Sequence, residues 1–550
     1  MWKKSHSAAS DRWELIKDLH LSNRNLTYSQ VCDLNAFQVP NQLALVDRST
    51  RMTWLEVKTT SDRIAQSMLE RGFMRPDIIL LHLSNSADQF LIRLACEKAG
   101  LRVILTNSAF REAELESIID RTGPRLAFIS DTRAKEGHYD RLRENLLNNK
   151  SKLEFYTVGK NHSVDWANTL KDLISTQKSE ISPDLLDHTR FGWGERFYLT
   201  TTSGSTSAPK IADTVYGNRI WLSLNHAKGV NLSLGEIVAA LPPMTSGTSD
   251  SLVHHAAPYF AATIVIEQRF DPIQTCQLLV DEGVHVASAV PTMLARMMAA
   301  GGIDQLAAAP LRCFAIYAAS ISYELATTIE ERAKCKIVRP YGTMDFGGIS
   351  MSTVEDDQDT RIRTVGKPFK ENDVRIIGED GEELPSGKTG QIVMKPSRLV
   401  MGTGYYRDLS KTIKNWNDAF YKLGDLGLKD KVGNLVLVGR SSELILRAGQ
   451  NIVPSEIEEL MISHPKVVDV AVVGLPDEEM GERVCACVIL KGNKNLEINE
   501  TRTHFRSLGV ADFKCPERIE VFDEFPVTMS GMKIDKLRLT KMVLDTQNRG

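Results

Sequence analysis

A chain of 550 residues is too long for one hydrophobic core and implies two or more domains. Its 42% hydrophobic and 25% charged residues are those of an ordinary soluble globular protein. A net charge of −3 gives no electrostatic footprint for nucleic acid, and no apolar run reaches membrane-spanning length.

The first residues, Met1-Trp2-Lys3-Lys4, lead into mixed charged sequence with no apolar signal-peptide core, so a cytoplasmic protein is expected. Residues 30 to 130 alternate in texture. The pattern predicts helices over Trp54–Arg71, Asp88–Lys98 and Arg111–Arg121, and strands over Asp77–Leu83, Leu101–Leu105 and Arg125–Ile129. Such alternation means a parallel sheet covered by helices, hence an α/β fold. Residues 131 to 190 are polar and carry no clear period. Phe197-Tyr198-Leu199 reads as a strand end that empties into Thr200-Thr201-Thr202-Ser203-Gly204-Ser205-Thr206-Ser207-Ala208-Pro209-Lys210. A loop of hydroxyls, a glycine and one lysine offers backbone N–H groups, side-chain donors and a cation, which is what a polyphosphate requires. It is not the Gly-x-x-x-x-Gly-Lys-Ser/Thr loop of the common NTPases.

Beyond the loop, strands are expected over Ile237–Leu241, Ala262–Ile266, Val284–Val290, Leu311–Tyr317 and Cys335–Arg339. β character around Val374–Ile377, Gln391–Met394 and Leu435–Val438 suggests a small β subdomain at about 360–440. From Glu443 the texture becomes compact α+β, with a helix over Ile452–His464, strands over Val467–Val473 and Val484–Lys491, a helix over Glu497–Leu508, a strand over Arg518–Phe522 and a polar tail. The eight cysteines form no Cys-x-x-Cys pair and read as scattered reduced thiols, with Cys485 and Cys487 on one strand face. His254-His255 reads as a polar surface or pocket wall rather than a metal site.

Further motifs follow the loop in order: Tyr341-Gly342-Thr343-Met344-Asp345, Tyr421-Lys422-Leu423-Gly424-Asp425-Leu426, Gly439-Arg440-Ser441-Ser442-Glu443 with Gly449, and Ser530-Gly531-Met532-Lys533-Ile534-Asp535-Lys536. In this order and spacing they resemble the ATP-dependent adenylate-forming superfamily of acyl- and aryl-CoA ligases, peptide-synthetase adenylation domains and luciferases. The resemblance runs from about residue 30 to the end. It implies a large N-terminal domain over 1–442, with parallel-rich sheets and the β subdomain, and a small mobile lid domain over 443–550.

It also implies roles. Thr202, Ser203, Gly204, Ser205, Thr206 and Lys210 would hold the β- and γ-phosphates of ATP, with Ser207 where the family has glycine. Tyr341 would stack on adenine beside Gly342, Ala319 and Ser320, and Thr343 stands one position before the family's phosphate-contacting threonine. Asp345, in place of glutamate, would help hold Mg²⁺, whose ligands are hard oxygens. Asp425 would accept from both ribose hydroxyls, with Arg440 beside it. Glu443 is the hinge position and Gly449 lies on the coenzyme A path. Lys533 is the expected catalytic lysine, bridging the acid and the α-phosphate, with Lys536 as the fallback.

Three stretches would line the acid site: Pro242–Asp250 with Thr245 and Ser246, Ile316–Ser320 with Tyr317 and Ala318, and Tyr341–Gly348 with Gly347. Tyr317, where the family has glycine, would shorten the pocket against long acyl chains. Asp250 stands out of register for gripping an amino acid's ammonium. The expected activity is ATP- and Mg²⁺-dependent adenylation of an aromatic or alicyclic acid and its transfer to coenzyme A, in a monomer or homodimer. A carrier-protein phosphopantetheine is the alternative acceptor. A rival reading is an inert nucleotide-binding homologue, on account of Met344, Asp345 and the displaced Lys533.

Overall fold

The computed structural model describes residues 26–148, 152–159, 164–175, 182–202, 209–344, 346–395, 404–417, 419–448, 450–492, 495–528 and 533–547. Ser203, Gly204, Ser205, Thr206, Asp345 and Gly449 lie outside the described residues, as do Ser530, Gly531 and Met532. The chain divides into two compact units, Met1–Asn372 with Pro396–Lys414, and Asp373–Lys395 with Asn415–Gly550.

The first unit carries two seven-stranded sheets. In one, Lys336–Val338, Cys313–Ile316, Val286–Ala289, Ile237–Ala240, Thr263–Ile266 and Leu43–Asp47 run parallel, and Thr50–Thr53 closes the edge antiparallel. In the other, the strands from Asn168–Thr169 through Glu154–Val158, Leu126–Ser130, Ile78–His82 and Arg102–Leu105 to Arg196–Thr202 are parallel. Lys210–Val215 returns antiparallel at its edge. One core of buried side chains joins the sheets, with Leu45 and Ile264 from the first and Ile79, Leu81 and Val103 from the second. Strands covered on both faces need unbroken apolar runs, which is why Ile78–His82 reads Ile-Ile-Leu-Leu-His.

The predicted helices form with their ends specified locally. Over Trp54–Glu70, Glu56 N–H donates to Thr53 Oγ1 at 3.3 Å and Thr53 N–H donates to Glu56 at 2.7 Å, a reciprocal cap that stabilises by about 1 kcal/mol. Residues 131 to 190, unread in the sequence, contain helices Asp140–Asn148, Leu170–Ser175 and Pro183–Thr189 and the strand Glu154–Val158. They are short, so their periods are hard to see.

His254 and His255 correct the expectation of a polar surface: both are fully buried. His255 Nε2 lies 2.8 Å from Tyr198 Oη, and His254 Nε2 lies 3.0 Å from Tyr28 Oη. Burial lowers both imidazoles, His255 to about 4, so they act as neutral core partners. They sit on a π-helix, Asp250–Ala256, whose wider turn no simple period announces.

The second unit holds an antiparallel sheet of Asp373–Ile377, Gly390–Lys395, Phe420–Lys429, Trp416–Asn417 and Leu435–Arg440, and a second sheet around Val467–Asp477 and Gly481–Leu490. The sequence-based boundary at 442/443 lies inside this unit, between the strands Leu435–Arg440 and Ile445–Arg447. The polar tail is a correction: Lys536–Gln547 is a helix, and its Leu539 and Val543 are buried with Val473, Cys485 and Cys487. Two apolar positions four apart suffice to seat one face, while Lys536, Arg538 and Lys541 around them hid the signal. All eight cysteines are buried and free of disulfides. No helix among the described residues is long and apolar enough to cross a membrane.

Candidate active site

In parallel α/β sheets, ligands bind beyond the carboxyl ends of the strands. Ile237–Ala240 ends at the stretch 242–250, Cys313–Ile316 at 317–320, and Lys336–Val338 at 340–348. Arg196–Thr202 ends at the hydroxyl loop. Each stretch assigned to the acid or the phosphates therefore follows the carboxyl end of a parallel strand in the first unit.

Thr202 and Lys210 are register partners across the two strands that flank the loop, so its ends are pinned side by side. Lys210 Nζ lies 5.3 Å from the centre of the Tyr405 ring, and Tyr405 bridges Ala212. Arg121 Nη1 donates to Pro209 O at 2.6 Å and anchors the loop's return. Arg219 belongs to no motif legible in the residues alone. Its guanidinium is buried and donates to Thr200 Oγ1 and Thr214 Oγ1 at 3.4 Å and to Met344 O at 3.2 Å, so it ties the phosphate-loop strand to the 341–344 hairpin.

Tyr341, Gly342 and Thr343 lie on one strand of that hairpin, and Thr343 pairs with Gly347. A Cβ on Gly342 would stand 2.5 Å from Gly347 O, so only glycine allows this approach. Thr343 Oγ1 is buried and has no hydrogen-bond partner among the described residues. That orphaned hydroxyl suits an incoming phosphate oxygen. Met344 turns its sulfur to Gly247 N–H at 3.2 Å, beside Ser246, whose hydroxyl donates to Pro243 O at 2.7 Å. Thr245 is buried.

In the third stretch, Ser320 Oγ accepts from Arg339 Nη2 at 3.4 Å, and Ala319 N–H donates to Tyr317 O at 3.0 Å. Ala318 holds φ +72°, a left-handed conformation that favours glycine. Ala318→Gly is expected to stabilise the protein by about 0.5–1 kcal/mol in urea denaturation. A loss of stability would show that the alanine methyl is worth more than the strain. Tyr317 is buried, and its hydroxyl lies 3.2 Å from His226 Nδ1.

Asp250 is not open to a ligand's ammonium. Burial pushes its carboxyl up, yet the Arg93 guanidinium, paired with it in the core, holds it below the usual range.

In the second unit, Asp425 and Arg440 are register partners on adjacent strands and form an ion pair at 3.2 Å, with the carboxylate buried and the arginine half exposed. Glu443 follows in a short 3₁₀ turn. Lys536 Nζ is held by Glu458 at 2.7 Å and by Glu443 at 3.4 Å. Lys533 is different. It sits in a short bridged segment, with Thr528 N–H donating to Lys533 O at 2.8 Å, and makes no ion pair among the described residues. Burial and then the Arg440 guanidinium lower its ammonium below the usual lysine range, against the opposing pull of Asp425 and Glu443. The structure thus brings Lys533, Asp425, Arg440 and Glu443 together in the second unit, and in the first it ties the phosphate-loop strand to the 341–344 hairpin and that hairpin to the 242–250 stretch.

The sequence profile of the AMP-binding enzyme family matches residues 32–406. The chain belongs to this family. The profile of the AMP-binding enzyme C-terminal domain matches residues 456–532. A salicylyl-CoA synthase / salicylate adenylyltransferase of Streptomyces sp is 27% identical over 512 residues, covering 91% of each chain. A mitochondrial medium-chain acyl-CoA ligase of Bos taurus is 25% identical over 555 residues, covering 96% of this chain and 88% of its own. Among solved structures, an anthranilate CoA ligase in complex with anthranoyl-AMP superposes with a TM-score of 0.84 at 19% identity, over 95% of this chain and 98% of that one. The fold is shared with that ligase, and the curated relatives are acyl- and aryl-CoA ligases.

Proposed function

We propose that the protein activates an aromatic or alicyclic carboxylic acid with ATP and transfers it to the thiol of coenzyme A. In the first half-reaction a carboxylate oxygen attacks the α-phosphorus and pyrophosphate leaves, giving the acyl-AMP. In the second the thiol sulfur attacks the acyl carbon, AMP leaves, and the thiol proton passes to solvent. Both steps gather negative charge on phosphate oxygens, so the protein's work is positioning and electrostatic stabilisation.

The observation that carries this reading is the gathering of Lys533 with Asp425, Arg440 and Glu443, the residues to which the resemblance assigns the catalytic, ribose-binding and hinge roles. Lys533 neutralises acid and α-phosphate as they approach, and Asp425 accepts from the ribose diol. In the first unit Lys210 and the Thr343 hydroxyl serve the phosphates, and Tyr341 serves the adenine. Thr202, Ser203, Gly204, Ser205 and Thr206 complete the phosphate loop, and Gly449 the coenzyme A path. Glu443 is the hinge about which a lid over 443–550 changes place between the half-reactions. No described group of three or more His, Cys, Asp and Glu side chains could hold a metal ion. Asp345 would help hold Mg²⁺ carried on the nucleotide phosphates, whose ligands are hard oxygens. When bound, the ion neutralises charge on those phosphates.

Pyrophosphate exchange across a panel of carboxylic acids tests the reading. Exchange with ring acids, and thioester with free coenzyme A, are expected. Exchange with thioester only on a holo-carrier protein would move the acceptor. Tight ATP binding without exchange for any acid would leave an inert nucleotide-binding protein.

A further inference from the structure

One polar group in the first unit has no place in the chemistry above. His226, on the helix Tyr216–Gly229, is buried where the three acid-site stretches meet. Its Nδ1 lies 2.9 Å from Ser251 Oγ, directly after the first stretch, and 3.2 Å from Tyr317 Oη in the second. The third stretch packs on the same helix face. A Cβ on Gly348 would fall 1.9 Å from Leu222 Cδ1, one turn before His226, and a Cβ on Gly347 would fall 2.8 Å from Asn218 Oδ1. Phe369 closes the cluster, its ring 6.1 Å from the imidazole.

The two ring nitrogens differ. Nδ1 is committed to Ser251 and Tyr317, while Nε2 is buried with no hydrogen-bond partner among the described residues. A buried polar nitrogen left unmatched costs about 1–3 kcal/mol, which a leucine at this position would avoid. Burial lowers the imidazole to about 3, so the ring is neutral at pH 7. In a neutral ring Nε2 is an N–H donor or a lone-pair acceptor, according to which proton Nδ1 shares with the two hydroxyls. Tyr317 therefore does more than fill space, as it fixes this ring. The Ser251 hydroxyl, which also bonds Gly247 O at 3.2 Å, stands on the π-helix, a feature frequent at functional sites.

We infer that His226 Nε2 is a specificity-determining contact that hydrogen-bonds a hydroxyl on the ring of the acid substrate, remote from its carboxylate. A hydroxyl both donates and accepts, so it matches either state of the nitrogen. The remote position follows from the helix. Arg219, tied to the phosphate-loop strand, lies seven residues before His226, about 10 Å along the axis. The substrate is then a hydroxylated ring acid. This rests on the adenylation reading.

The test is pyrophosphate exchange with matched pairs, benzoate and cyclohexanecarboxylate against each of their monohydroxy isomers, on wild type, His226→Asn and His226→Gln. Asparagine places its amide near Nδ1 and keeps the Ser251 and Tyr317 contacts; glutamine places its amide near Nε2. Wild type should favour a 3- or 4-hydroxy acid over its unsubstituted partner by about tenfold in kcat/KM. His226→Asn should erase that ratio with KM for ATP unmoved, and His226→Gln should retain most of it. A ratio unchanged in His226→Asn, or a preference confined to the 2-hydroxy isomer, would overturn the inference and leave the adenylation reading intact. Absence of exchange with every acid, while ATP still binds, would overturn both.

Discussion

Lys533→Ala is expected to cut acid-dependent pyrophosphate exchange by about 10²–10³-fold, the scale of losing one preorganised charge at a reacting phosphate. Thiolysis of a supplied acyl-adenylate should survive, because by then the α-phosphate is already joined to the acid and no second anion has to be brought up to it. The pH profile gives a separate check. The ammonium must be protonated, and burial and Arg440 lower its pKa from 10.5. Adenylation should therefore fall on the alkaline side at a pH below 10.5, and Arg440→Ala, by removing a neighbouring cation, should move that limb upward. Equal loss of both half-reactions in Lys533→Ala would remove the lysine from its role. Lys536, already tied to Glu443 and Glu458, should tolerate replacement by arginine, which keeps the charge.

Asp250→Ala should destabilise the first unit by about 3–5 kcal/mol, because it strands the Arg93 guanidinium, fully buried, without its partner. Arg93 Nη1 also donates to Met244 O at 3.1 Å, so the Pro242–Asp250 stretch should lose its anchor as well. Denaturant unfolding followed by tryptophan fluorescence would measure the change. The sign with pH is fixed. The Asp250 carboxyl is held below its ordinary 3.8, so its contribution is present above that pH and lost as the pH falls below it. The difference between wild type and variant should shrink in acid. Replacing both partners with Arg93→Met and Asp250→Leu should recover much of the loss, since a well-packed apolar pair avoids the desolvation of two charges. A single-variant cost under about 1 kcal/mol would mean that water reaches the guanidinium.

Much was legible in the residues alone. The alternation from Trp54 to Ile129 named the parallel sheet because burial on both faces demands continuous apolar strands, and caps such as Thr53 and Glu56 are local in sequence. The motif order named the family, since each motif is a short loop whose chemistry is written in a few adjacent residues.

Only the tertiary structure decided which side chains meet. His254 and His255 are core partners of Tyr28 and Tyr198, the last twelve-residue helix is seated by Leu539 and Val543, and Arg219 ties Thr200 to Met344. His226, Ser251 and Tyr317 come from three separate segments and share one nitrogen. The reason is physical. Periodicity and turn chemistry report interactions among neighbours along the chain, whereas the partner of a buried polar atom is set by register and packing between distant segments, which no local pattern encodes.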